Sequence, residues 1–197
     1  MHCVAGDGVG ILAGAVVGSF IHLPPPVEMA LEYLLGFGFG WTMFQALFMR
    51  DMAGGSFVRS MQLTFSSELL SMNVLMGGML PVAAAWRAAV AAASDSSRPE
   101  FWFSMSIALL VGFVADYPIN WWLVTRGLKH GMKTVWSRAS TAPGEPMHAT
   151  AHGSHGAQAQ GHQIHMEPAP APRMVPAAVI SLSVLAIGVA VALTIGG

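Results

Sequence analysis

Apolar residues fill five stretches of the chain, approximately 4–23, 27–49, 62–85, 101–124 and 175–195, with polar residues gathered between them. The hydrocarbon of a bilayer is about 30 Å thick, and about 20 helical residues cross it. Each stretch meets that length, so the pattern predicts an all-α bundle of about five transmembrane helices. The first stretch has no basic leader and runs straight into a second apolar segment, so it reads as a helix that stays, not a cleaved signal. The chain then divides into a four-helix core over 1–138, a linker over 139–173 and a C-terminal helix over 174–197.

The departures from apolarity carry the information. Span one has Gly6, Gly10, Gly14 and Gly18, four residues apart and so on one face. Such a seam lets another backbone approach closely, from within the chain, from a second copy or from another membrane subunit. Pro24, Pro25 and Pro26 make a tight turn into span two. There Glu28 suits the helix N-terminus, Glu32 lies deeper, and Gly36 and Gly40 repeat the small-residue spacing. Span three is the most polar, with Ser71 and Asn73 beside a stripe of Glu68, Met72, Met76 and Met79. Pro81 is expected to end it, sending the Ala-rich tail 83–93, with Trp86 and Arg87, along the interface. Span four holds Asp116, Pro118 and Asn120 before a Trp121–Trp122 exit.

Charged groups at mid-membrane are costly and face the bundle interior. Counting inward from Arg59 and back from Arg126, Glu68 and Asp116 fall at similar depth. A polar site of Glu68, Asn73, Asp116 and Asn120 is expected between spans three and four, with Glu32 a further intramembrane carboxylate. With Arg87 placed outside the spans, no Lys or Arg is left inside to neutralise them, so they are either protonated or meet a cation.

Composition narrows the classes. Only 10% of residues are charged, against about a quarter in soluble domains, which points to a polytopic membrane protein in contact with the bilayer. The net charge of -1 leaves no basic surface for nucleic acid. A lone Cys3 excludes an intrachain disulfide. Arg50, Arg59, Arg126, Lys129, Lys133, Arg138 and Arg173 would share one side of a five-span topology, and Arg87 and Arg98 the other. The positive-inside rule then puts the N-terminus in the cytoplasm and the C-terminus outside. The Pro/Ala/Gly/His linker has no apolar periodicity and reads as disordered. Its His148, His152, His155, His162 and His165 are donors for copper or zinc, as are the thioethers of the Met stripe for Cu(I).

The run from Ala115 to Met132, Ala-Asp-Tyr-Pro-Ile-Asn-Trp-Trp-Leu-Val-Thr-Arg-Gly-Leu-Lys-His-Gly-Met, resembles the closing signature of a bacterial membrane family, domain of unknown function 4396. Glu32-Tyr-Leu-Leu-Gly-Phe-Gly-Phe39, Phe65-Ser-Ser-Glu68 and Phe101-Trp-Phe103 support the resemblance, which covers most of 1–132. It implies a bacterial inner-membrane protein and brings no activity with it. The opening His2-Cys3-Val-Ala-Gly6-Asp7 is similar to the family's His-Cys-x-x-Gly-Cys motif, with Asp7 at the second Cys and Ile11 at a later acidic position. His2, Cys3 and Asp7 are therefore a candidate metal set, harder in preference than one with two thiolates.

Together these features favour a small membrane protein that binds or moves a cation, a transition metal such as copper first. A non-transporting scaffold or assembly factor, packed through its glycine faces as a homo-oligomer or with another subunit, is the alternative. An enzyme is the least favoured, because the spans hold no Ser/His/Asp set, phosphate loop or haem-binding His pair.

Overall fold

The computed structural model describes residues 2–46, 57–125 and 174–196. These form α1 (His2–Ile21), α2 (Pro25–Phe39), a π-helical segment (Gly40–Ala46), α3 (Phe57–Ala89), a short 3₁₀ turn (Ala91–Ser94), α4 (Pro99–Thr125) and α5 (Met174–Gly196). The described residues contain no strand, and α1, α3, α4 and α5 are each long and apolar enough to cross a membrane. The second apolar stretch is divided: α2 spans 15 residues and the π-helical segment continues it for seven. Leu34, Leu110, Val114, Val175 and Ile187 are exposed on the outside of the bundle, where they would meet lipid.

Local sequence sets the element ends. Pro24 precedes α2 in an extended conformation, with Pro25 at the position where a missing N–H costs nothing. At the end of α1 the Leu23 amide donates to the Gly18 carbonyl at 3.2 Å, with His22 left-handed at φ 51°. That closure favours glycine, which carries no Cβ into the left-handed region. His22→Gly is expected to raise the thermal stability of the detergent-solubilised protein, by at most about 1 kcal/mol, measured by thermal unfolding. Between α3 and α4, Asp95 Oδ1 accepts from the Ser97 hydroxyl at 2.7 Å and its amide at 2.9 Å. These bonds hold the Asp95 carboxyl below its usual range. Ser19 ties this turn to α1, donating to the Ser94 carbonyl and accepting from the Ser96 amide.

Pro81 does not end α3, which runs through it to Ala89. The sequence placed 83–93 along the interface; instead Arg87 is carried on the last turn of a long helix. Proline still removes one bond, the one its N–H would have made to the Gly77 carbonyl. At this turn Gly77 and Gly188 of α5 lie backbone to backbone: a Cβ on Gly188 would run into the Gly77 carbonyl oxygen and come 2.7 Å from its Cα. Gly78 and Gly112 do the same service between α3 and α4, where a Cβ on Gly112 would sit 2.7 Å from the Leu75 carbonyl.

The glycine seam of α1 is filled from within the chain. A Cβ on Gly10 would strike the Leu35 carbonyl, one on Gly14 would lie 2.8 Å from Glu32 Cα, and one on Gly18 would lie 2.8 Å from Glu28 Cγ. Gly6 is buried on the same helix. The seam thus serves α2, and it is not the free docking face that an oligomer would use. Ile11, Ala15, Met72, Leu75, Met76, Met79, Phe101 and Met105 form the apolar core inside the bundle.

Candidate functional site

Asp116 and Asn120 stand one turn apart on α4, and Ser71 faces them from α3. The Ser71 hydroxyl lies 3.0 Å from each oxygen of the Asp116 carboxylate, to which it donates. The Asn120 amide donates to Ser71 Oγ at 3.0 Å and to Asp116 Oδ2. Asp116 and Ser71 are fully buried. Glu68, three residues before Ser71 on α3, is fully buried too. α4 runs through Pro118 to Thr125, so the turn holding Asp116 and Asn120 is helical on both sides of the proline.

Asn73 belongs to a second, adjoining set. The Tyr33 hydroxyl donates to Asn73 Oδ1 at 2.7 Å, and Asn73 Nδ2 approaches Ser181 Oγ of α5 at 3.4 Å. Tyr33 also lies within electrostatic reach of Asp7. Asp7 is fully buried in α1, and its carboxylate occupies the place where a Cβ on Gly40 would be, at the start of the π-helical segment. π-helical turns inside α-helices are frequent at functional sites. Beside them Phe37, Trp41 and Phe65 pack ring on ring, and Trp41 Nε1 donates to the Met61 carbonyl at 3.1 Å.

Glu32 is placed elsewhere. Arg87 Nη1 lies 3.0 Å from Glu28 Oε2, and Arg87 Nη2 lies 3.5 Å from Glu32 Oε1. The reading that no basic residue accompanies the intramembrane carboxylates is corrected here, because the unbroken α3 brings Arg87 to Glu32 as well as to Glu28. Glu28 is accordingly an ion-pair partner across helices and not simply an N-terminal charge on α2.

The structure therefore brings Asp116 and Asn120 together and sets Glu68 and Asn73 on the facing helix. Ser71, Tyr33, Ser181 and Arg87 complete these contacts and were not assigned from sequence. Ser71 was detectable as a hydroxyl one turn from Glu68, whereas Ser181 is one of three hydroxyls in α5, with Ser183 and Thr194, and nothing in the sequence singles it out. Met72, Met76 and Met79 are buried in the apolar core, with Met72 Cε against Gly36. Among the described residues no group of three or more His, Cys, Asp and Glu could hold a metal ion. The side chains of His2 and Cys3 lie outside the described residues, as do His148, His152, His155, His162 and His165.

The donors at Asp116 are carboxylate, hydroxyl and amide. Oxygen ligands of this kind suit protons and hard cations, whereas Cu(I) prefers thiolate and thioether. A low-dielectric bundle interior also strengthens each of these polar contacts.

Comparison with known proteins gives one finding: residues 1–129 match the family described as Domain of unknown function (DUF4396). No curated protein and no solved structure matches the chain. With well over half of its length matched, the chain belongs to the DUF4396 family.

Proposed function

We propose that this family member binds a small cation inside the membrane, with Asp116 as the charged ligand and the proton or a hard metal ion as the cargo. The observation that carries the reading is the fully buried Ser71–Asp116–Asn120 cluster at the α3–α4 contact, with Glu68 buried on the same helix as Ser71. Ionisable residues held inside a membrane bundle are costly to bury and characteristically mark ion and proton paths. Ser71 and Asn120 orient the carboxylate, and Glu68 offers a second one.

The donor set moves the cargo away from copper, since the Met stripe packs the core and oxygen atoms line the polar cluster. The scaffold alternative would have to use exposed apolar faces of the bundle other than the glycine seam of α1, because α2 already occupies that seam.

The test is flux and binding on purified protein. Vesicles carrying the wild type should relax an imposed pH or Na⁺ gradient faster than empty vesicles. Asp116→Asn, which keeps the shape and removes the charge, should reduce that rate by about tenfold or more, an effect on the order of 1.4 kcal/mol. Equal rates for wild type and Asp116→Asn would overturn the reading. Metal content by mass spectrometry, compared with Cys3→Ser and Glu68→Gln, decides the copper case: bound copper lost in either variant restores it.

A further inference from the structure

The helices fall into two tightly packed units. α1 and α2 lie together along the Gly10, Gly14 and Gly18 seam, while α3 holds α5 at Gly77 and Gly188 and α4 at Gly78 and Gly112. Direct packing of α2 on α3, α2 on α5 and α1 on α4 is sparse by comparison. The ties between the units differ along the bundle, with the Tyr33–Asn73 bond and the Met72–Gly36 contact crossing midway. At the end bearing the π-helical segment they are aromatic, Phe37 and Trp41 on Phe65, with the Trp41–Met61 bond beside them. At the end bearing the α1–α2 turn they are polar, namely Arg87 on Glu28 and Glu32, and Ser19 on the α3–α4 turn. Between α2, α3 and α5 lies a cavity of about 420 Å³ lined by apolar side chains, among them Met29, Met76, Leu185 and Val189, with Tyr33 on its wall.

The geometry points to a latch: Arg87, with Glu28 and Glu32, fastens the turn end of α1–α2 to α3, and its release lets that end part from α3–α5 about the aromatic end. Three features make this cluster suited to opening. Its guanidinium is incompletely used, for Arg87 Nε is buried without a hydrogen-bond partner among the described residues. Its pairs are at the bundle end, and the Arg87 side chain is 21% exposed, so water can take over the charges as they separate. The α1 glycines press closely on the glutamate backbone and stem, at Glu32 Cα and Glu28 Cγ, which fixes both carboxylates to the α1–α2 unit. Opening would widen the cavity and bring Tyr33, and through it Asn73, within reach of molecules from that end. This stands on the packing alone and holds whether or not Asp116 carries a cation.

Spin labels on Cys3→Ser protein test it by pulsed electron-spin distance measurement. One pair is placed at Leu34 of α2 and Ile187 of α5, both exposed and on opposite units. A control pair is placed at Val114 of α4 and Ile187 of α5, within one unit. Arg87→Gln should shift the first distribution to longer, broader distances and leave the control pair unchanged. Glu28→Gln, which keeps the Glu32 pair, should shift it less and serves if Arg87→Gln fails to fold. An unchanged Leu34–Ile187 distribution in the folded variants overturns the latch. Equal broadening in both pairs overturns it as well, because that is general loosening.

Discussion

Gly188→Leu is expected to unseat α5 and lose most of the folded protein. The leucine Cβ would collide with the Gly77 carbonyl oxygen and stand 2.7 Å from Gly77 Cα. Both are main-chain atoms of α3, which is itself packed on α4 at Gly78, so neither side can yield by a rotamer change. The interface must separate, and with it goes the burial of Ala177, Ser181 and Ala192 on α5. Overpacking usually costs about 1–3 kcal/mol, and a backbone collision of this kind falls at or above the upper end. The check is the monodisperse yield and thermal midpoint in detergent. Gly196→Leu, whose Cβ meets nothing within 4 Å among the described residues, should behave as wild type. Similar behaviour of the two variants would refute the packing assigned to Gly188.

Arg87→Leu is expected to destabilise the protein by about 2 kcal/mol, and Glu32→Gln in the same chain should return part of it. Removing one partner of a buried ion pair costs about 3–5 kcal/mol because the other charge is stranded. Partial exposure of Arg87 and Glu28 lowers that figure. Glu28 and Glu32 are one turn apart, so without Arg87 they also repel each other. The second change removes one stranded charge, and a double-mutant cycle on thermal unfolding reads the coupling. Strict additivity of the two changes would show that Arg87 does not act through Glu32.

What was legible in the sequence followed from lipid as solvent. A helix with no water to satisfy its backbone needs a long apolar run, and such runs cannot be hidden among polar residues. Asp116 and Asn120 were legible for the same reason, being four apart on a helix that has few other polar groups. Arg87 was not legible, because a proline at position 81 predicts the end of the third span. The helix passes through Pro81 and carries Arg87 on its last turn. Nor does spacing within α1 say which backbone fills its seam. That depended on α2 offering Leu35, Glu32 and Glu28 at matching heights. The π-helical segment begins at Gly40, against Asp7 more than 30 residues earlier, and no local pattern reports that contact.

The Gly77–Gly188 contact also sets an order of assembly. α4 ends at Thr125 and α5 begins at Met174, so a ribosome working at about 5–20 residues per second needs several seconds between finishing one and reaching the other. During that interval the small-residue groove of α3 is in the membrane without its own partner. A chain stopped before Met174 would keep it open, with the Gly77 carbonyl, which Pro81 leaves without its helical donor, facing whatever lies alongside. The α3–α5 contact at Gly77 and Gly188 is therefore closed well after α3 itself has been made.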